Sequence, residues 1–271
     1  MAKRRLVTLL TDFGLRDGYV ASVKGVILGA CPSAEIVDLC HDVPAHDVLA
    51  GAYILAQAAP CFPPGTLHVA IVDPTVGTDR RILAMRLGGQ EYLVPDNGVI
   101  TMVARGRPLE AIFTVRSTQY VPDGGTSRTF HGRDVFAPVA AHLPYGLDMS
   151  RLGPVPDTYR LLELPEPTER GDELVGQVIH VDRFGNCVSN LGEEALLAKF
   201  PDLARATVAC AGREVGVIQG AYAFVDIGSP LALVNSMGLL EVAVNQGRAS
   251  DALNAGVGSE VRVGRKSPAA S

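Results

Sequence analysis

Residues 66–81 read TLHVAIVDPTVGTDRR, and this stretch decides the fold. Its first half is rich in β-branched and other apolar residues, which predicts a buried strand. Pro74 ends that strand, because proline has no N–H for the ladder and biases Asp73 towards an extended backbone. The carboxylate and the arginines beyond the glycine turn are therefore expected at the sheet edge where open α/β sheets bind ligands. The alternative interpretation is an Asp that caps a turn beside two solvated arginines.

Strands alternate with helices on both sides of this stretch. Strands are predicted at residues 5–10, 35–39, 67–72 and 111–115, with a hairpin of residues 81–87 and 91–94 around Gly88 and Gly89. Helices are predicted at residues 19–29, from Asp47 as the cap to about residue 59, at residues 99–104, and after residues 130–134 (FHGRD). This alternation predicts an N-terminal α/β domain, residues 1–153, with a largely parallel sheet.

The pattern changes after residue 153. A Pro-rich stretch, residues 154–173, predicts a linker. Beyond it lie short strands separated by turns, at residues 174–179, 207–211, 213–217, 231–234, 239–244 and 260–263. They predict a smaller C-terminal all-β domain, residues 174–265. Residues 122–125 (PDGG) predict a flexible loop, and residues 266–271 a disordered tail.

Composition excludes several classes of function. The net charge is -5, with Lys+Arg 24 against Asp+Glu 29, so nucleic acid is not expected as a partner. The five cysteines are scattered and contain no CxxC, which favours a reducing, cytoplasmic location. No apolar run approaches the length of a membrane span, and the N-terminal segment lacks a cleavage site, so it is interpreted as a strand rather than a signal peptide.

Several acids and a histidine fall on loops that end strands or begin helices. They are Asp12, Asp17, Asp73, Asp96 and His131. A metal site is not expected, because the N-terminal domain lacks HxH, HxxxH and DxD spacings and the acids have arginine neighbours. The motif FHGRD combines a titratable group, a glycine that permits close approach and an Arg-Asp pair, which favours a functional role over a structural one. Nucleophile elbows (GxSxG) and Gly-rich phosphate loops are absent from the sequence.

The second domain contains one motif with binding chemistry. Residues 182–186, DRFGN, offer an acid, an aromatic ring and an amide at a strand end. The donor and acceptor of an Asn amide suit the edge of adenine. The alternative is an Asx turn that uses Gly185.

Six motifs together resemble the S-adenosylmethionine hydrolase family, also called SAM hydroxide adenosyltransferases, which are related to the fluorinase and chlorinase. In order, they are TDFGLRDGYV, VDPTVGTDRR, PDNG, TFHGRD, DRFGN and NSMGLLEVAVNQG, and the resemblance covers residues 6–263. It implies an N-terminal α/β domain and a C-terminal β-barrel-like domain. It also implies a homo-trimer, or a dimer of trimers, with the site between one subunit's N-domain and its neighbour's C-domain.

The same resemblance implies roles for individual residues. The catalytic set of the family falls on Asp73, Arg80 and His131. Asp12 matches the acid that binds ribose, and Asp17 an acid near the amino-acid end of the substrate. The further substrate-binding residues are expected to be Asn97, Asp182, Phe184, Asn186, Tyr222 (stacked on adenine), Ser236, Val244 and Gln246. No metal and no cofactor are expected, because S-adenosylmethionine is the substrate.

Departures from the relatives favour one reaction. The halogenases have Tyr at the position of Asp73, where a carboxylate would repel a halide, and they have an inserted loop without a counterpart here. They also have Arg at the position of Met237, where it reaches the substrate carboxylate. The expected activity is therefore hydrolysis of S-adenosylmethionine to adenosine and L-methionine. The alternatives are a protein that binds S-adenosylmethionine or adenosine with negligible turnover, a halogenase, and a metal-dependent phosphohydrolase.

Overall fold

A computed structural model describes residues 5–116, 120 and 127–265 of the chain. The chain divides into two compact units, Met1–Leu162 and Glu163–Ser271. The boundary falls inside the stretch 154–173 that the sequence predicts as a linker. The predicted loop at residues 122–125 and the predicted tail at residues 266–271 lie outside the described residues.

The first unit alternates strands and helices. Its strands are β1 (Arg5–Thr11), β2 (Ala34–Cys40), β3 (Leu67–Ile71), β4 (Ile82–Leu87), β5 (Gln90–Pro95) and β6 (Leu109–Thr114). Its α-helices are α1 (Tyr19–Ala30), α2 (Val48–Ala58), α3 (Thr101–Ala104) and α4 (Ala137–His142). A π-helical turn, Gly132–Phe136, leads directly into α4, and single 3₁₀ turns occur at Ala59–Cys61, Leu143–Tyr145 and Met149–Leu152.

The six strands form one mixed sheet in the order β2-β1-β3-β5-β4-β6. Strands β2, β1, β3 and β5 are parallel neighbours, and β4 is antiparallel to both β5 and β6. Only β4 therefore runs against the others, which confirms the α/β class and the largely parallel sheet. The hairpin β4–β5 is also confirmed, and its turn glycines have φ of 56° and 76°, values that L side chains rarely adopt.

Strand β3 lies within the sheet, and all five of its residues are buried. On one face Val69 packs in a core with α1 and α4, represented by Ile27 and Val139. Asn97 supports the end of the strand, because its amide nitrogen donates to the carbonyl of Val72 at 2.7 Å. The strand thus places Asp73, two residues beyond its end, at the carboxyl edge of the sheet.

The helix starts show where local signals succeed and fail. Asp47 caps α2 as predicted, since its carboxylate accepts a hydrogen bond from the N–H of Ala50 at 2.9 Å. Helix α1 begins without a side-chain cap, because the cap position is Gly18 and no side chain bonds the helix end. The predicted helix at residues 99–104 is a single turn in the structure, Thr101–Ala104.

The second unit is built from antiparallel strands. They are β7 (Thr168–Arg170), β8 (Glu173–Val181), β9 (Cys187–Gly192), β10 (Ala206–Cys210), β11 (Arg213–Val217), β12 (Pro230–Val234), β13 (Leu239–Val244) and β14 (Glu260–Arg265). Two short helices, α5 (Glu193–Lys199) and α6 (Ala249–Leu253), and 3₁₀ turns at Leu203–Arg205 and Tyr222–Phe224 complete it.

These strands curl into a nearly closed, barrel-like sheet in the order β11-β10-β14-β8-β9-β13-β12, with β7 paired to β8. A bridge between Ile218, after β11, and Ala232 of β12 brings the two ends together. The C-terminal all-β prediction is confirmed, but β9 was not predicted. Its polar Ser189 interrupts the run of apolar residues expected of a buried strand. In the fold the Ser189 hydroxyl has a hydrogen-bond partner, because it donates to the carbonyl of Leu240 at 2.8 Å.

Two further features bear on the predicted location. All five cysteines are free thiols in the structure. Within the described ranges, none of the helices has the length and apolar character that crossing a membrane requires.

Candidate functional site

Three predicted residues meet at the carboxyl edge of the first unit's sheet. Asp73 follows β3, Arg80 precedes β4, and His131 stands immediately before the π-helical turn. The turn between Asp73 and Arg80 depends on Gly77, whose φ is 81°. A Cβ at Gly77 would overlap the carbonyl oxygen of Arg128, so only glycine permits this approach.

The guanidinium of Arg80 joins the other two side chains. Its Nε donates to Oδ2 of Asp73 at 2.7 Å, and its Nη2 donates to Nδ1 of His131 at 2.9 Å. The side chains of Asp73 and Arg80 are only 4% and 6% exposed. The charged pair is thus largely removed from solvent, where electrostatic interactions are stronger than in water.

The direction of these bonds fixes the state of His131. A guanidinium has only donors, so Nδ1 of His131 must accept, and the proton of the neutral ring is on Nε2. Burial lowers the pKa of His131 below its ordinary value, and the charge of Arg80 lowers it further, while Asp73 and Asp134 oppose the shift. His131 is therefore neutral near pH 7, with an N–H at Nε2.

A pocket of about 300 Å³ adjoins this set. Its lining includes Asp12, Asp73 and His131. One wall is aromatic: Phe130 lies edge-on to Phe13 and Tyr19, with ring centroids 5.9 and 5.1 Å away. The volume lies at the lower end of the range for small-molecule sites, and the mixture of aromatic walls with a few polar groups is typical of them.

Asp12 enters the pocket from the end of β1. Its side chain is 10% exposed. Its Oδ2 accepts a hydrogen bond from the N–H of His46 at 2.9 Å. His46 adopts a left-handed φ of 68°, which is uncommon for a non-glycine residue. Asp12 therefore has one oxygen held by the backbone and presents a carboxylate to the pocket.

Two other predicted residues of the first unit do not line this pocket. Asp17 is exposed in the loop before α1. The amide of Asn97 is engaged with backbone, because it donates to Val72 and its oxygen accepts from the N–H of Val99 at 3.1 Å. In the structure Asn97 supports the strand end that precedes Asp73.

The second unit holds the DRFGN motif in a tight turn between β8 and β9. Oδ1 of Asp182 accepts from the N–H groups of Phe184 (2.8 Å) and Asn186 (2.9 Å), and Oδ2 accepts from the Asn186 amide at 3.0 Å. The alternative Asx turn is therefore formed. Phe184 is nevertheless 72% exposed, an unusual position for a large aromatic ring.

Sequence reasoning missed one residue of this unit, Glu241. Its side chain is buried in β13, where it accepts from the hydroxyl of Tyr222 at 2.6 Å and from the amide of Asn235 at 3.3 Å. Burial raises the pKa of Glu241, and the charge of Asp182 adds to the increase. The signal was a single acid within an aliphatic strand, LLEVAV, because such an acid requires polar partners.

The remaining predicted residues lie before, at the end of, or just after β13, the strand that carries Glu241. Ser236 is exposed in the turn beside Asn235, Val244 is buried at the end of β13, and Gln246 is exposed with φ of 55°. The predicted residues thus fall into two groups, one in each unit. The described part of the chain contains no cluster of three or more His, Cys, Asp or Glu side chains that could hold a metal ion.

Comparisons with known proteins identify the family. The family models of the SAM hydroxide adenosyltransferase N-terminal and C-terminal domains match residues 7–153 and 176–262. A Thermus thermophilus relative named (R)-S-adenosyl-L-methionine hydrolase is 41% identical over 265 residues, covering 96% of this chain and 99% of the relative. A Nocardia brasiliensis protein named fluorinase is 27% identical, covering 97% of this chain and 98% of the relative.

A solved structure supports the fold along the whole chain. The crystal structure of an uncharacterized conserved protein from Thermotoga maritima aligns with a TM-score of 0.90 and 36% identity. The alignment covers 96% of this chain and 100% of that one.

Proposed function

The chain belongs to the SAM hydroxide adenosyltransferase family, and from that premise we propose that it hydrolyses S-adenosyl-L-methionine to adenosine and L-methionine. The observation that carries the proposal is the Arg80 guanidinium, bonded to Asp73 on one side and to His131 on the other beside the pocket. Relatives that are 34–41% identical and align over nearly their full length are named (R)-S-adenosyl-L-methionine hydrolase, which supports the same activity.

The chemistry of the substrate requires a nucleophile rather than an acid. The sulfonium makes the ribose 5′ carbon electrophilic, and the leaving group, methionine, is neutral at sulfur. The oxygen of water attacks the 5′ carbon, the carbon–sulfur bond breaks, and its electron pair goes to sulfur. One proton leaves the attacking water. The protein must therefore supply oriented water and stabilise hydroxide as it develops, because water itself is a very weak acid and yields little hydroxide at neutral pH.

Each member of the set has a distinct part in this step. Arg80 is always charged and stabilises the developing hydroxide. His131 is a hydrogen-bond donor at Nε2, so it orients the water by donating to its oxygen. The proton goes to Oδ1 of Asp73, which accepts a 3.2 Å bond from the Thr75 hydroxyl, and from there to solvent.

The two groups of predicted residues suggest how the substrate is held. A carboxylate can accept from both hydroxyls of a ribose diol, which suits Asp12 in the pocket. The exposed Phe184 and Tyr222 of the second unit offer apolar surface for adenine and the methionyl chain. We infer that the protein is a homo-trimer, or a dimer of trimers, in which a neighbour's second unit completes the pocket. We also infer a cytoplasmic location, from the free thiols.

The reaction is tested in ¹⁸O-water containing chloride, with the products separated by chromatography. Wild type should yield adenosine labelled at the 5′ oxygen, and Arg80→Lys should yield far less, because lysine cannot contact Asp73 and His131 at once. A chlorinated nucleoside would instead show a halogenase. Tight adenosine binding by calorimetry without product over hours would show a binding protein.

The assembly is tested by mixing two inactive variants, Asp73→Asn and Asn186→Ala. If each site combines the first unit of one chain with the second unit of another, random mixing after refolding should restore about a quarter of wild-type activity. No restoration would show that each chain forms its own site. Either result leaves the reaction itself unaffected.

A further inference from the structure

Asp134, the last residue of FHGRD, has a set of contacts that the reaction does not use. Its side chain is 13% exposed, whereas that of its partner Arg133 is 45% exposed. One carboxylate oxygen, Oδ2, accepts from the backbone N–H of Ser127 at 2.8 Å. The other, Oδ1, accepts from Nε of Arg133 at 2.6 Å. Asp134 thus reaches back seven residues to hold a backbone group.

The segment that it holds, residues 127–130, is here called the strap. Thr129 and Phe130 of the strap line the pocket. Within the strap, the Ser127 hydroxyl accepts from the N–H of Thr129 at 3.2 Å, and Phe130 contributes to the aromatic wall. Asp134 therefore holds one end of a segment that forms part of the pocket.

The other side of the strap packs against the catalytic turn. The carbonyl of Arg128 occupies the space that a Cβ at Gly77 would need. The strap is thus confined between the carboxylate of Asp134 and the turn that joins Asp73 to Arg80. It leads directly into His131, so a displacement of the strap would displace the ring that contacts Arg80.

The helix geometry at this point is also irregular. Gly132–Phe136 forms a π-helical turn, a feature that occurs frequently at functional sites. The carboxylate of Asp134 lies within this turn and points back to the strap, and the N–H of Asp134 donates to the carbonyl of Phe130 at 3.2 Å. Backbone and side chain of Asp134 together connect both ends of the strap to the turn that follows His131.

We propose that Asp134 is a positioning residue for the reaction, which holds the strap so that His131 meets Arg80 and Phe130 completes the pocket wall. This inference rests on the proposed function. Asp134 does not line the pocket, whereas Phe130 and His131 do, so its effect passes through those two residues. A displacement of about 1 Å in such a site can cost about a hundredfold in rate.

The test compares three variants of the full chain. Asp134→Ala removes both acceptors and frees the strap, so kcat should fall by about tenfold to a hundredfold. Asp134→Asn keeps one oxygen for the Ser127 N–H and should lose less. The matched control is Asp148→Asn, since Asp148 also accepts a backbone N–H, from Ser150 at 3.0 Å, but does not line this pocket. It should keep wild-type kcat.

A second readout does not depend on turnover. The titration of the His131 ring, followed by NMR, should show its pKa moving up towards the ordinary value in Asp134→Ala, because the ring separates from Arg80. Loss of the Asp134 charge alone would move the pKa in the opposite direction, as expected for Asp134→Asn. A general loss of stability that leaves the ring in place would therefore give Asp134→Ala the same downward shift as Asp134→Asn.

The outcomes separate this proposal from the proposed function. Wild-type kcat in Asp134→Ala would overturn it, as would a His131 pKa that does not rise in that variant or an equal loss of kcat in Asp148→Asn. If wild type makes no adenosine at all, the proposed function fails, and the NMR titration still decides whether Asp134 positions His131. If Asp134→Ala does not fold, Asp134→Ser, which also lacks the carboxylate, is used for the same two measurements.

Discussion

His68 makes the stability of the first unit depend on pH. The side chain lies on β3 with no exposed surface, stacked on Tyr92 at a centroid distance of 5.1 Å and hydrogen-bonded through Nδ1 to the Thr8 hydroxyl at 2.8 Å. Burial lowers the pKa of His68 from 6.5 to about 4, and the charge of Arg107 adds to the decrease, opposed by a contact with Gln90. The folded protein therefore holds this ring neutral.

The sign and size of the effect follow from this difference. Between pH 6.5 and pH 4 the unfolded chain binds a proton that the folded chain does not, so the free energy of unfolding decreases as the pH falls. The loss is about 2 kcal/mol at pH 5 and approaches about 3 kcal/mol below pH 4, where both states are protonated. Above pH 6.5 His68 contributes no pH dependence.

The assay compares wild type with His68→Phe. Phenylalanine keeps a ring against Tyr92 but cannot titrate, and the other titrating groups are the same in both proteins. The chain has no Trp, so urea unfolding is followed by circular dichroism at pH 7.5, 6, 5 and 4.5. The stability difference between the two proteins should shift by about 2 kcal/mol in favour of the variant between pH 7.5 and pH 5. A difference that stays constant over this range would refute the reasoning.

Three further predictions concern the turn, a helix cap and metal dependence. Gly77→Ala should lower kcat/KM more than tenfold, because the left-handed backbone costs about 1–2 kcal/mol and the new Cβ meets the Arg128 carbonyl; wild-type kinetics would contradict it. Asp47→Ala should lower the free energy of unfolding by about 1 kcal/mol in urea titration, because the N–H of Ala50 loses its cap; an unchanged midpoint would show that water replaces the cap fully. Prolonged EDTA treatment should leave turnover unchanged, since the roles given to Asp73 and Arg80 need no metal, and a loss restored by added Zn²⁺ or Mg²⁺ would contradict that mechanism.

The parts of the fold that the sequence predicts are those with local physical signals. Pro74 must end a strand, and Gly77 takes a φ that few other residues adopt. These two residues are enough to predict that Asp73 lies at the end of a strand, before a turn. The Gly88-Gly89 turn and the Asp47 cap are equally local. Each signal acts through the backbone of its own segment, and tertiary packing does not change it.

The missed elements depend on partners that are distant in sequence. Strand β9 contains Ser189 and Asn190, and a local pattern cannot show that Leu240 and Pro165 supply their hydrogen-bond partners. Asn97 is a similar case, because its role at the end of β3 depends on the carbonyl of Val72, 25 residues away. Polar residues therefore count against the prediction of a strand only as long as their hydrogen-bond partners are unknown.

The chemistry of the site depends on the same distant contacts. From the sequence, His131 is a titratable ring that could donate a proton or accept one. Its contact with Arg80, 51 residues away, assigns Nδ1 as an acceptor, because the guanidinium cannot accept. That single direction makes Nε2 a donor and leaves Asp73 as the member of the set that can take a proton. The sequence therefore predicts which three residues form the set, whereas the role of each residue follows from the contacts made in the fold.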